Sequence, residues 1–285
     1  MKTFGLYITG QKGRMVLRGL LYRPAFVVTY QDENTDVLDF DIINLFCEQR
    51  DIPIYHRKDK VIPSADVDLL IFVGWQYLIH RDMEKSVVFH DSYLPELKGF
   101  APTPTALIQG RQLGATAFQP TDIEVDTGPI YLRRRIKVQH PIRLMQANEL
   151  IATNYIEMIK ELLTCNIEPG WPESDELETF SIWRGPDDMV IDWDDDDQRI
   201  QRTVYALGQP LSGAKTTYRG KQIILTEVQL RPDMVFVERH PGKIWSFKNN
   251  CPKVICGQGM LIIKEALSAD GAIVQFNRLR ERLGT

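Results

Sequence analysis

The stretch Val67-Asp68-Leu69-Leu70-Ile71-Phe72-Val73-Gly74 carries one charge in eight residues and ends on glycine. A run this short and this apolar fits a strand buried on both faces, as in a parallel sheet. Similar runs flank it. Residues 4–9, 25–30 and 53–56 lie upstream, and 87–89 lies just downstream. Helical material separates them. Residues 15–21 form a short candidate helix after a Gly10-Gln11-Lys12-Gly13-Arg14 loop. Between 35 and 50, Leu38, Ile42 and Leu45 recur at helical spacing. Strands alternating with helices imply parallel pairing through right-handed crossovers. The expected fold class is α/β, with a Rossmann-like, mostly parallel sheet. Further strands are expected at 114–119 and 131–138. A long helix follows, with Leu144, Ala147, Ile151, Tyr155, Met158 and Leu162 on one face.

The pattern changes after residue 166. Pro, Gly and Trp mixed with acids between 168 and 188 read as a linker. Beyond Asp197, short strand-like runs at 221–228, 234–238, 242–246, 254–255 and 260–263 suggest a small barrel. The expected division is an α/β domain over 1–185, linker included, and a β domain over 186–285.

The chain of 285 residues is 44% hydrophobic and 25% charged, an ordinary globular composition. No apolar run approaches the roughly 18 residues of a membrane span. The N-terminus carries no signal-peptide cleavage pattern, and Cys47, Cys165, Cys251 and Cys256 are scattered. Reduced thiols in a cytoplasmic protein are the plain reading. The net charge of −4 hides an asymmetry: residues 201–285 hold 13 Lys+Arg and 6 Asp+Glu, a balance of +7 that leaves −11 on residues 1–200. A basic second unit suits an anionic ligand, an RNA or the acidic first domain.

Ligands of doubly wound sheets bind outside the carboxyl ends of the strands. At one such end stands Val87-Val88-Phe89-His90-Asp91-Ser92-Tyr93-Leu94-Pro95, where an apolar run stops at three polar groups. A turn, a metal site and an enzyme's working end all fit that pattern. His56, His80, His140 and His240 are isolated. His90 differs in its company. Asp122-Ile123-Glu124-Val125-Asp126-Thr127-Gly128-Pro129 follows downstream, and a histidine oriented by a carboxylate is a standard proton-transfer pair. Acids capping backbone amides are the bland alternative for that loop. The Gly10–Arg14 loop matches neither a dinucleotide fingerprint nor a Walker loop, although Lys12 and Arg14 suit a phosphate. The acidic run 192–197 lacks the glycine and terminal glutamate of an EF-hand and reads as the first turn of a helix over 198–207.

Together these stretches resemble the folate-dependent formyltransferases, whose members transfer formyl groups to methionyl-tRNA, to glycinamide ribonucleotide or to amino sugars. The family pattern Asn-x-His-Pro-Ser-Leu-Leu-Pro-x-x-x-Gly is matched by residues 88–99, and Asp-x-Gly-x-Asp-Thr-Gly by 122–128. Ile191-Asp192-Trp193 and Pro210-Leu211-Ser212-Gly213-Ala214 resemble landmarks of the two-domain members. The resemblance implies an OB-like second domain and transfer from 10-formyltetrahydrofolate, with no metal. It implies His90 and Asp126 as catalytic residues. It places the pterin beside Trp75, Tyr77 and Ile79 and against Asp122, Ile123 and Glu124. Gln11, Lys12, Arg14, Asp91 and Ser92 are expected at the amine substrate.

Three departures stand out. Val88 replaces the family asparagine, a donor to the oxyanion whose loss costs about a hundredfold or more in rate. Asp91 replaces proline, and Glu124 replaces the loop glycine. Protonated His90, a backbone amide or a water are the substitutes for the missing donor. The tRNA enzymes carry a basic loop where this chain has Gln31-Asp32-Glu33-Asn34-Thr35-Asp36, which repels phosphate. An amino sugar, carried on a nucleotide, is therefore the expected substrate, without nucleic acid or membrane. Methionyl-tRNA transfer and a non-catalytic folate- or nucleotide-binding homologue are the alternatives, and a folate-deformylating hydrolase is a third. The resemblance also implies a homodimer.

Overall fold

The computed structural model describes residues 1–31, 38–59, 61–63, 66–122, 124–173 and 175–284. The chain divides into two compact units. The first comprises Met1–Thr103, Gln112–Lys137 and Gln146–Ile182, and the second Pro104–Arg111, Val138–Met145 and Trp183–Thr285.

The first unit is built on a seven-stranded sheet. Its strands are β1 (Phe4–Ile8), β2 (Phe26–Thr29), β3 (Ile54–His56), β4 (Leu69–Val73), β5 (Ser86–His90), β7 (Leu113–Phe118) and β8 (Ile130–Ile136), in the order β3-β2-β1-β4-β5-β7-β8. β6 (Lys98–Gly99) lies outside this sheet and pairs with β9 (Phe180–Ser181). Strands β1 to β5 are parallel, while β7 and β8 are added antiparallel. All five residues of β4 are buried, as its unbroken apolar sequence requires. The chain winds outward from β1 to β3, then returns to the other side of β1 with β4. That reversal is the topological switch point at which such sheets hold ligands.

Helices α1 (Gly10–Gly19), α2 (Asp39–Glu48) and most of α4 (Leu144–Thr164) belong to this unit, while α3 (Pro102–Ile108) falls mostly in the second. The residues 10–14 expected as a loop are instead the first turns of α1. Gly10 enters the helix at φ +66°, a left-handed backbone, while Gly13 serves packing. A Cβ on Gly13 would come 2.8 Å from the Ile8 Cβ, so the helix lies directly on the end of β1.

The second unit centres on α5 (Asp197–Ala206) and a five-stranded antiparallel sheet. The strands β10 (Ala214–Tyr218), β11 (Lys221–Arg231), β12 (Ile244–Lys248), β13 (Cys251–Ile255) and β14 (Met260–Ser268) run in the order β10-β11-β14-β13-β12. The C-terminal segment ties the two ends of this order together, since Leu283 pairs with Tyr218 and Arg282 with Lys243. The strand expected at 234–238 does not form. There the Asp233 carboxylate holds both the Met234 amide and Arg239, which curls the chain into a loop and leaves Val235 and Val237 exposed. The acidic run caps α5: Asp196 accepts a hydrogen bond from the Arg199 amide at 2.7 Å. Among the described residues, no helix is long and apolar enough to cross a membrane.

Candidate active site

Strand β5 delivers His90 to the carboxyl edge of the sheet. Side chains alternate along a strand, which sorts its residues by face. Phe89 packs edge-on against Tyr155 of α4, with ring centroids 4.8 Å apart. Val88 packs on the opposite face, against the cluster of Phe26, Val28, Val67, Leu70 and Phe72. His90 shares the Val88 face. Its Nε2 lies 2.8 Å from the Leu97 carbonyl and its Nδ1 3.4 Å from Asp126 Oδ2. A carbonyl only accepts, so Nε2 carries the proton in that bond. Asp126 stands beyond the other nitrogen, so each ring nitrogen faces an oxygen of the protein. The ring is 8% exposed.

Asp126 is held in turn. Its Oδ2 accepts from the Gly99 amide at 2.7 Å, and its backbone sits at φ +54°, a left-handed conformation that costs a non-glycine residue energy. The turn is steadied by the Thr121 hydroxyl, which donates to the Thr127 carbonyl at 2.9 Å. Asp122 and Glu124 are exposed on the same loop, and Ile123 lies outside the described residues.

Asp91 points away from His90, toward the helices. Its Oδ1 accepts from the Tyr155 hydroxyl at 2.6 Å, and its Oδ2 from Thr103 Oγ1 at 3.1 Å and from Lys12 Nζ. Burial pushes the Asp91 carboxyl up, but the Lys12 ammonium, helped by the Tyr155 hydroxyl, pulls it below the ordinary carboxylate range. Burial and then the Asp91 charge push the Tyr155 hydroxyl well above its usual value. The other residues expected at the amine also hold partners within the protein. Arg14 Nε lies 2.6 Å from Asp39 Oδ1, Gln11 Oε1 accepts from Asn148 at 3.0 Å, and Ser92 Oγ donates to the Glu96 carbonyl at 2.5 Å.

An aromatic surface forms beside the ends of β1, β2 and β4. Trp75 meets Tyr7 and Tyr30 edge-on, each at 5.3 Å, and Tyr77 meets Tyr30 at 5.0 Å. The Arg57 guanidinium lies 3.8 Å above the Tyr77 ring, and Ile79 packs on the cluster beneath. Burial, with Asp82 nearby, pushes the Tyr7 hydroxyl up to about 12, so it stays a neutral donor at working pH. Tyr77 is 42% exposed, leaving one aromatic face open to a flat partner. Tyr30 and Arg57 were not anticipated from sequence, because neither belongs to a motif.

Sequence comparison matches both parts of the chain to one family. Residues 54–157 match the formyl transferase domain and residues 185–281 the formyl transferase C-terminal domain. The chain belongs to the folate-dependent formyltransferase family, with both domains of its two-domain members. It is 22% identical to the methionyl-tRNA formyltransferase of Rickettsia bellii (strain RML369-C) over 236 residues, covering 78% of this chain and 76% of that protein. It is similar in fold to the N-formyltransferase of Helicobacter canadensis in complex with folinic acid and dTDP-3-aminofucose. That match has a TM-score of 0.64 at 12% identity and covers 92% of this chain and 99% of the other. HypX from Aquifex aeolicus in complex with tetrahydrofolic acid matches with a TM-score of 0.57 at 15% identity over 96% of this chain. The chain spans about half the length of HypX, 46% of it.

Proposed function

We propose that this chain moves a formyl group from 10-formyltetrahydrofolate to the primary amine of a nucleotide-linked amino sugar. The observation that carries the reading is the pairing of His90 with Asp126 at the switch-point edge of a formyl transferase domain. The amine attacks the formyl carbon and forms a tetrahedral intermediate. Collapse breaks the bond to the folate nitrogen, and the proton lost by the amine ends on that nitrogen. With Nε2 held by the Leu97 carbonyl, His90 offers its Nδ1 edge to the reacting centre in place of the donor that the Val88 side chain lacks. The contact to Asp126 is the looser of the two ring contacts, and it is the edge where a proton is exchanged.

The aromatic surface of Trp75 and Tyr77, with Ile79, is the proposed pterin seat, and Asp122, Ile123 and Glu124 are proposed as further pterin contacts from the sequence motif. Gln11, Lys12, Arg14, Asp91 and Ser92 serve the substrate through the frame they hold, since each is engaged inside the protein. The acidic residues of 32–36 lie outside the described residues and bear on the amine only as sequence: they disfavour a polyanion at that loop. The +7 balance of residues 201–285, with the relative from Rickettsia bellii, favours a second reading, formylation of methionyl-tRNA. Incubation with 10-formyltetrahydrofolate and either a dTDP-3-amino sugar or charged initiator tRNA separates the two. N-formyl sugar supports the first reading. Formyl-methionyl-tRNA alone replaces it with the second.

A further inference from the structure

Lys98 has no task in the reaction as described, yet it is only 7% exposed. Its ammonium donates to Thr127 Oγ1 at 3.0 Å and to the Glu178 carboxylate. Three pieces of chain therefore meet on one cation: the loop that follows His90, the turn that carries Asp126, and residues 176–181, which the sequence presents as linker. A buried ammonium is costly without such partners, so its presence here reports a designed junction.

The backbone repeats the pattern. The two-residue strand β6 pairs in parallel with β9, the Lys98 amide donates to the Thr179 carbonyl at 2.9 Å, and the Phe100 amide donates to the Ser181 carbonyl at 3.0 Å. The Thr179 amide donates to the Pro95 carbonyl at 3.3 Å, and Thr179 Oγ1 accepts from the Leu97 amide at 2.9 Å. Among the described residues, β6 has no strand neighbour except β9. The fit is close: a Cβ on Gly99 would come 2.4 Å from the Ser181 carbonyl oxygen, and Gly99 sits at φ +92°.

The residues so held are the ones that hold the catalytic pair. The Leu97 carbonyl receives His90 Nε2, and the Gly99 amide fixes Asp126 Oδ2. We infer that residues 176–181 form a strap that completes the active site, with Lys98 and Thr179 as positioning residues acting through Leu97, Gly99 and Thr127 on His90 and Asp126. A two-residue strand pair is weak alone, so the side-chain tethers decide whether the strap stays seated. The inference rests on the formyl-transfer reading for its kinetic arm only.

The test compares Lys98→Met, Glu178→Gln and Thr179→Val with wild type, and adds the charge swap Lys98→Glu/Glu178→Lys. Two quantities are read: steady-state formyl transfer from 10-formyltetrahydrofolate to a dTDP-3-amino sugar, and the ring-nitrogen NMR signals of His90 in the substrate-free protein. A misplacement of the catalytic pair lowers kcat roughly tenfold to a hundredfold. KM for both substrates stays unchanged, the His90 signals move in every single variant, and the swap recovers part of kcat. Unchanged His90 signals with unchanged kcat, or a loss confined to KM, overturn the strap. Glu178 is half exposed and Thr179→Val keeps the side-chain shape, so these two decide the matter where Lys98→Met does not fold. Absence of formyl transfer by the wild type refutes the proposed function, and the His90 signals still decide the strap.

Discussion

Replacing Lys12 by methionine removes the cation from a carboxylate that has little water. The side chains of Lys12 and Asp91 are 17% and 16% exposed. Removing one partner of a buried pair costs about 3–5 kcal/mol. Asp91 keeps the Tyr155 and Thr103 hydroxyls as donors, which places the loss near the lower end, about 3 kcal/mol at neutral pH. At roughly 2–4 °C per kcal/mol for a unit of this size, Tm of the first unit falls by about 6–12 °C. The pH dependence changes sign. In the wild type the Asp91 carboxyl lies below its unfolded value, so it contributes stability above that value and loses it as acid protonates the folded state. In Lys12→Met, burial acts with less opposition and lifts the carboxyl above its unfolded value. The variant is then stabilised, relative to its own neutral-pH state, as pH falls toward the unfolded carboxylate range. Thermal unfolding from pH 7 down to pH 4 reads the difference directly: the gap between variant and wild type narrows in acid. Asp91→Leu in both backgrounds completes a double-mutant cycle, and the coupling should approach the single-variant loss. A gap independent of pH, or a Tm loss of only a degree or two, would refute the buried-pair reasoning.

Other outcomes follow from the same contacts. His90→Asn and Asp126→Asn each lower kcat by about 10²–10⁴-fold while the fold is retained, as circular dichroism and initial rates would show. Val88→Asn places an amide on the His90 face of β5; kcat rises at least roughly tenfold, a modest share of what an oxyanion donor supplies. The same variant lowers Tm, because Val88 packs on the aromatic cluster, and an unchanged kcat would mean that position 88 does not face the oxyanion. Asp196→Ala removes the cap of α5 and costs about 1 kcal/mol without changing kcat. Adding calcium leaves the Tm of the wild type unmoved, because the acidic run serves as a cap.

The sheet was legible because its central strands are apolar on both faces, and β4 needs no neighbour to declare itself. His90 and Asp126 were legible because each lies in a compact motif, and the structure brings them within 3.4 Å. What Asp91 holds was not legible, for a simple reason. Adjacent strand residues point to opposite faces, so the residue beside His90 turns toward α1 and α4. The strap was hidden by composition: its contacts to β6 run mostly through backbone groups, which leave no period in the sequence, and the Pro, Gly and acids of the surrounding 168–188 resemble a connector. Strand β10 was missed because its buried positions are Ala214, Thr216 and Tyr218, with no apolar run to mark it. Thr216 is buried because it accepts a hydrogen bond from the Trp193 indole at 2.9 Å, a long-range partnership that local pattern cannot show.

The central claim is formyl transfer to a sugar amine with His90 at the reacting carbon. The most direct measurement is mass spectrometry of a dTDP-3-amino sugar incubated with 10-formyltetrahydrofolate and enzyme, alongside His90→Asn. The account predicts a product heavier by one formyl group, formed by wild type and almost absent with the variant. Equal product from both proteins, or formate released without any N-formyl product, would contradict it.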